Sequence, residues 1–252
     1  MKTAHLKERG VKFSYIDSGA PKESNDYTTL VCVHGNNFHA LNFKRLLPLA
    51  HNHNIRVIAF NRRDYRGSTP YNQEELDALK GDNKKNHASF LRNRGLEVAD
   101  LLVWIIDELK IPTISRDGFS GGLALLGWSL GNVTTLSFLG NFTSFPERIK
   151  QKLDLYLKHF FIYEATYSFV GYETPPGAYH PLFDEAIPPP SGRKQSFRGS
   201  IRTLHIQYTP ITTNAQAPMS SSIPDTLLHW KTYSSSIFQI PRSGNQPQKT
   251  AR

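Results

Sequence analysis

Three short, nearly continuous apolar runs constrain the fold of this 252-residue chain more than any other feature. They stand at 27–35, 55–61 and 121–129, and the first of them is also rich in β-branched residues. Such strands are usually buried on both faces of a parallel sheet, because a strand exposed on one face alternates apolar and polar residues. Two further strand patterns stand at 11–19 and 159–165.

Helical patterns lie between these strands. Apolar spacing predicts helices at 40–50, at 96–109, from Asn132 onward, and at 147–156. The polar stretch 62–86 is interpreted as a surface loop. Strands that alternate with helices predict an α/β protein with a mainly parallel sheet flanked by helices.

The last quarter of the chain differs in composition from the rest. Residues 191–252 hold 8 Lys and Arg against one Asp, whereas the first 190 residues hold 22 Lys and Arg against 20 Asp and Glu. We therefore predict an α/β core over 1–190 and a basic tail rich in Ser, Pro and Gln over 191–252. The segments 201–209 and 235–241 are either two last strands or poorly ordered chain.

Charge and composition argue against several classes of partner. The net charge of +9 does not indicate a nucleic-acid partner, because the excess cations lie in the tail rather than on a folded groove. No run approaches the roughly 18 apolar residues of a membrane helix, and the first ten residues lack the apolar run of a signal peptide. The single cysteine, Cys32, suits a reducing compartment. We expect a cytoplasmic protein, or a peroxisomal one should the native C-terminus differ, and the oligomeric state stays open.

The sequence GWSLG, 127–131, is a candidate nucleophile turn. A buried strand runs directly into it and a helical pattern leaves it, which is the setting that a G-x-S-x-G nucleophile elbow requires. Glycines two residues on either side of Ser129 would remove side chains that clash in so sharp a turn. The alternative is a serine in an ordinary tight turn.

A second motif, His34-Gly35-Asn36, follows the strand at 27–35. With Ser129 as nucleophile, the main-chain amides of Asn36 and Leu130 would form an oxyanion hole. We interpret His34 as holding its loop by hydrogen bonds rather than as the catalytic base. The third motif, RRDYRGS (62–68), is interpreted as a turn fixed by Gly67 and by local charge pairing.

Together these motifs resemble the α/β-hydrolase superfamily, from about Val11 to about Pro190. YEATYSFVGYETPP (163–176) and YHPLFDEAIPP (179–189) further resemble a group of filamentous-fungal hydrolases, some of which serve toxin and other secondary-metabolite pathways. The resemblance implies the α/β-hydrolase fold with an incomplete or atypical C-terminal part. It also implies a small-molecule ester or thioester as substrate, and no cofactor or metal.

In this superfamily the catalytic acid and then the histidine follow the serine. Glu164 and Asp184 are candidate acids, and each could instead anchor a loop. Of the histidines after Ser129, His159 is interpreted as preceding its strand, His180 as too close to that strand, and His205 as lying inside a strand. His229 remains the candidate base.

The expected base loop departs from the superfamily's pattern. Where a Gly-His loop is expected, the chain has Gly244 and Asn245, and an asparagine cannot accept the serine proton. One explanation is loss of the base; another is a frameshifted or mis-spliced terminus. Two interpretations therefore stay open: a serine hydrolase acting through Ser129, and a catalytically impaired hydrolase-fold protein that binds a small molecule or is a truncated product.

Overall fold

The computed structural model describes residues 1–173 and 175–177. Within them, six strands form one sheet in the order β1-β2-β4-β3-β5-β6. Strands β3 to β6 run parallel, whereas β2 is antiparallel to both β1 and β4. The predicted mainly parallel sheet is confirmed. The strands are β1 Lys2–Leu6, β2 Val11–Asp17, β3 Thr28–Val33, β4 Ile55–Phe60, β5 Leu123–Trp128 and β6 Leu157–Tyr163.

Helices cover both faces of the sheet. The larger core lies between one face and helices α3, α4 and α5, and a smaller core lies between the other face and the segment 40–50. The α-helices are α1 Leu47–Ala50, α2 Gln73–Ala78, α3 Lys84–Leu109, α4 Gly131–Asn141 and α5 Glu147–Asp154. Short 3₁₀ helices span Lys7–Arg9, Ala40–Leu46, His51–His53, Phe142–Ser144 and Tyr167–Val170.

The helix predicted over 40–50 is divided into two parts. Ala40–Leu46 is a 3₁₀ helix, and the α-helical geometry is limited to Leu47–Ala50. Pro48 lies in the first turn of α1. Because proline has no main-chain N–H, it cannot continue a helical ladder from the preceding turn. The apolar spacing predicted neither the helix type nor the buried face, because Leu41, Leu46 and Leu49 are exposed whereas Ala40 and Ala50 are buried.

The surface-loop interpretation of 62–86 is wrong in two places. Residues 73–78 form α2, and Asn72 and Glu75 cap its N-terminus with reciprocal hydrogen bonds between side chain and main chain. Helix α3 begins at Lys84, twelve residues before the predicted start, and the Asn83 side chain accepts from its first-turn amides. The first turns of α3 are mostly exposed, so apolar periodicity could not reveal them.

Close packing of α3 against α4 fixes the helix that follows Ser129. A β-carbon built on Gly95 of α3 would lie only 2.7 Å from the main-chain carbon of Ser137 and 2.9 Å from the nitrogen of Phe138. Only glycine permits this approach without a backbone shift. The second half of α4 is therefore held close against α3 within the larger core.

The predicted tail, 191–252, and its boundary near residue 190 lie outside the described residues, as do the strand candidates 201–209 and 235–241. Over the described ranges, no helix combines the length and apolar character needed to cross a bilayer.

Candidate active site

Ser129 stands in a sharp turn between β5 and α4. Its φ is +51°, a left-handed value that side-chain-bearing residues adopt only when the surrounding structure holds them there. Its main-chain N–H donates to the carbonyl of Tyr163, 2.9 Å away, and its carbonyl accepts from the N–H of Asn132 at 3.0 Å. The turn therefore has the strand–turn–helix geometry expected of a nucleophile elbow.

The two glycines of the motif are needed for space. A β-carbon on Gly131 would overlap the carbonyl oxygen of Val33 and lie 2.8 Å from that of His34. A β-carbon on Gly127 would lie 2.6 Å from Oδ1 of Asn132. The G-x-S-x-G spacing thus serves close contact with β3 on one side and with α4 on the other.

The loop after β3 lies directly against Ser129. A β-carbon built on Gly35 would be 3.0 Å from Cβ and 3.5 Å from Oγ of Ser129. The next residue, Asn36, is one of the two predicted oxyanion donors, so the fold brings this segment to the nucleophile turn. Its side-chain Nδ2 is buried and has no hydrogen-bond partner among the described residues.

The other predicted donor, Leu130, caps helix α4. It is buried, and no side chain accepts from the first amides of the helix. Within the described ranges, no group accepts a hydrogen bond from the main-chain N–H of Asn36 or of Leu130. The positive end of the helix dipole adds to the potential at this point. Both amides are therefore available to donate to a further group, as an oxyanion donor must be.

His34 holds the loop and cannot act as a base. It is fully buried, its Nε2 accepts from the N–H of Arg62 at 3.1 Å, and its Nδ1 lies 2.8 Å from the carbonyl of Gly35. The proton is therefore on Nδ1, which donates to that carbonyl. Burial, together with the nearby Arg62, lowers the pKa of His34 to about 3. The structure agrees with the loop-anchoring interpretation.

The motif at 62–68 also has a structural position. Gly67 has a φ of +87° and packs against Ser14. Arg63 is buried and pairs with Glu97 at 2.6 Å and with Glu75 at 2.8 Å. The charge pairing therefore reaches α2 and α3 instead of staying within the turn as predicted.

Glu164 follows the last residue of β6, at the same edge of the sheet as Ser129. Like Ser129 it has a left-handed φ, +48°. Its Oε2 accepts from the indole Nε1–H of Trp128 at 2.7 Å, and its side chain is exposed. The hydrogen bond between Ser129 and Tyr163 brings the candidate acid and the nucleophile turn together, and the Glu164 carboxylate also interacts with the Tyr163 hydroxyl, whose pKa it raises.

Among the described residues that follow Ser129, no histidine lies at this edge of the sheet. His159 lies within β6, not before it, and pairs in register with Ala124, whereas Tyr163 pairs with Trp128 at the end near Ser129. His159 is therefore at the wrong end of its strand, as predicted. His229 lies outside the described residues, as do His180, Asp184, His205, Gly244 and Asn245.

The Cys32 thiol is not suited to nucleophilic attack, and an aromatic cluster beside the site was not predicted. Burial raises the pKa of the Cys32 thiol to about 12, which leaves it protonated. Trp128 packs against Phe38, with ring centroids 4.5 Å apart, and edge-on against Phe43. The sequence analysis did not predict this aromatic cluster or the buried Asn132. Trp128 is at a variable position of the G-x-S-x-G pattern, and the other residues lie outside the pattern.

Two clefts, each of about 530 Å³, lie away from Ser129. One has an apolar floor that includes Trp104 and Ile149, and the other borders the ion pairs of Arg63. In both clefts acidic and basic side chains balance, and neither is lined by a residue of the nucleophile turn.

No protein-family model matches the sequence, and a comparison with curated proteins finds no relative. Solved structures of similar fold include a bromoperoxidase from Bacillus anthracis, with 15% identity, a TM-score of 0.39, and coverage of 65% of this chain and 44% of that one. An esterase from Exiguobacterium antarcticum has 18% identity and a TM-score of 0.39, over 66% of this chain and 46% of that one. A thermophilic esterase from Thermogutta terrifontis has 15% identity and a TM-score of 0.39, over 66% and 47%.

The chain thus spans less than half the length of these three structures. At such identities and TM-scores the likeness carries no information about the activity of this chain. The strand order, the antiparallel β2 and the turn at Ser129 give the described part the predicted α/β-hydrolase fold class.

Proposed function

We propose that the protein is a serine hydrolase that cleaves a carboxylic ester or thioester through Ser129. The observation that carries this proposal is the left-handed turn at Ser129, placed between a buried strand and a helix N-terminus and packed against Gly35. A serine does not need this strained backbone to form a surface turn. The strain presents its hydroxyl above the edge of the sheet, where a carbonyl carbon can approach.

In the proposed reaction, Oγ of Ser129 attacks the substrate carbonyl and its proton passes to a base. The amides of Asn36 and Leu130 donate to the oxyanion that forms. Collapse of the tetrahedral intermediate breaks the bond to the alcohol or thiol, which leaves with the proton, and water then hydrolyses the acyl-enzyme. Glu164 is proposed to orient the base, and His229 is the proposed base, since no histidine that follows Ser129 in the described residues lies at this edge of the sheet.

The resemblance to filamentous-fungal hydrolases supports a narrower proposal: the substrate is an ester or thioester of secondary metabolism, such as a toxin precursor. The single cysteine favours a cytoplasmic location for this activity. The runner-up function is a hydrolase-fold protein that binds a small molecule without turning it over. Asn245, in place of the expected histidine, is the observation in its favour.

Ester hydrolysis distinguishes these proposals. A serine hydroxyl is a poor nucleophile at neutral pH without a proton acceptor, but an oxyanion hole alone retains roughly 10³–10⁴-fold acceleration over water. With a working base, the full chain should hydrolyse both p-nitrophenyl esters and ordinary alkyl esters, and His229→Ala should abolish turnover of the alkyl esters. Without one, only the activated ester should react.

Three further variants make this experiment decisive. Ser129→Ala should form no acyl-enzyme and should lower the rate on every ester to at most the residual level that an oxyanion hole alone supports, whereas Ser144→Ala, which removes an exposed hydroxyl after α4, should leave the rate unchanged. Asn245→His should raise the rate if residues 244 and 245 occupy the base loop. A rate on alkyl esters that Ser129→Ala leaves undiminished would reject the proposed nucleophile.

A further inference from the structure

Asn132 occupies a buried position directly beside the nucleophile turn. It lies three residues after Ser129, in the first turn of α4, and is completely buried. Its side-chain Nδ2 donates two hydrogen bonds, each 2.9 Å long, to the carbonyls of Ser129 and Tyr163. Its main-chain N–H donates a third, to the carbonyl of Ser129. One side chain thus connects the end of β5 to the end of β6.

Each of the two carbonyls lies at a residue with a left-handed φ or next to one. Ser129 has a φ of +51°, and the carbonyl of Tyr163 belongs to the peptide that enters Glu164, which has a φ of +48°. Residues with a β-carbon keep such values only where neighbouring groups over-determine them. The carboxamide of Asn132 contacts the peptide units next to Ser129 and Glu164, so it fixes the positions of the nucleophile and the candidate acid relative to each other.

The geometry also indicates which half of the carboxamide matters. With Nδ2 facing the two carbonyls, Oδ1 is buried and has no hydrogen-bond partner among the described residues. The flipped orientation would place an oxygen against two carbonyl oxygens and is excluded by repulsion. A buried acceptor without a donor is unfavourable. The two donated bonds are therefore the reason that an asparagine is suited to this position.

The neighbouring glycine leaves room for this arrangement. A β-carbon on Gly127 would lie 2.6 Å from Oδ1 and 2.9 Å from Cα of Asn132. The first glycine of the G-x-S-x-G pattern is thus required here by Asn132 as well as by the turn itself.

We propose that Asn132 is a positioning residue, whose carboxamide locks the Ser129 turn to the end of β6 and so fixes the serine hydroxyl relative to Glu164 and to the oxyanion amides. The effect on reaction rate rests on the proposed function, whereas the structural lock does not. Asn132 does not touch the substrate, so its loss should change the rate of attack and not the affinity for the ligand.

Labelling with an alkyl fluorophosphonate tests the effect on rate. The full chain is compared with Asn132→Ala, with the near-isosteric Asn132→Asp, and with Asn141→Ala, whose Nδ2 bonds the carbonyl of Ser137 at the other end of the same helix. A displacement of about 1 Å can lower a rate about 10²-fold. The maximal labelling rate constant of both Asn132 variants should fall by about that factor, with the half-saturating probe concentration unchanged and with Asn141→Ala unaffected. An equal loss in Asn141→Ala, or a loss only in probe affinity, would overturn the proposal.

Amide hydrogen exchange tests the lock without any chemistry. In the Asn132 variants the N–H of Ser129, which donates to Tyr163, should exchange at least tenfold faster, while the amides of β3 stay protected. Unchanged protection at Ser129 in both variants would reject the lock. If the unmodified chain is not labelled at Ser129 but exchange rises as expected, the proposed hydrolase fails and the lock stands.

Discussion

Gly131→Ala should destabilise the fold, because the added methyl group would enter the contact between α4 and β3. A β-carbon there overlaps the carbonyl oxygen of Val33 and lies 2.8 Å from that of His34 and 2.9 Å from the carbon of Val33. All three atoms belong to main chain in or next to a central strand, so they cannot turn away as a side chain would. Overpacking typically costs about 1–3 kcal/mol, and this rigid setting places the expected loss near 3 kcal/mol, at the upper end of that range.

Gly140 provides a matched control on the same helix. It is exposed, and a β-carbon there meets no atom within 4 Å. Alanine is favoured over glycine inside a helix by about 0.8–1.0 kcal/mol, so Gly140→Ala should stabilise the protein slightly or leave it unchanged. One methyl group added to each of two glycines of α4 should thus act in opposite directions.

Thermal and urea unfolding of the full chain measure the difference. A loss of about 3 kcal/mol corresponds to a fall in Tm of roughly 6–12 °C for a domain of this size. Equal stability of Gly131→Ala and Gly140→Ala would refute the close approach of α4 to β3. It would also remove the spatial reason for the second glycine of the nucleophile turn.

Three other perturbations have outcomes that the structure predicts. The pKa of buried His34 is lowered to about 3, so the unfolded state binds the proton more tightly than the folded state does. The unfolding free energy should therefore fall as pH drops from about 6.5 towards 3. Urea unfolding at several pH values should show a shallower fall in His34→Gln, and equal slopes in the two proteins would contradict the buried neutral histidine. Arg63→Met should lower the unfolding free energy by about 1.5–3 kcal/mol, because it removes one of the two buried cations that bond Glu97 and leaves only Arg94. Lys80→Ala, which removes an exposed pair with Asp77, should cost at most about 0.5 kcal/mol. Limited proteolysis should cut first after about Arg193, and removal of the tail should leave small-molecule binding by the first 190 residues intact; first cuts within the core would refute the predicted boundary.

The central strands and the nucleophile turn could be predicted because burial and backbone strain restrict their residues strongly. A continuous apolar run such as 27–35 is hard to accommodate except inside a sheet, and Gly127 and Gly131 mark contacts that no larger residue can make. These local requirements are visible in a single sequence.

The features that escaped prediction depend on contacts between distant segments. Strand β1, Lys2–Leu6, was missed because only Ala4 and Leu6 are buried on this edge strand. The start of α3 was missed because its first turns are polar. The reach of Arg63 to α2 and α3, and the bonds of Asn132 to two strand ends, follow from the tertiary fold and leave no periodic signal.

The most direct test of the central claim is to locate the residue that a fluorophosphonate modifies. The full chain is incubated with the probe, digested, and mapped by mass spectrometry, with Ser129→Ala as the comparison. We predict a single adduct on Ser129 that is absent from Ser129→Ala, in a protein whose folding is verified by circular dichroism. An adduct on another residue, or labelling that persists in Ser129→Ala, would contradict the assignment of Ser129 as the nucleophile.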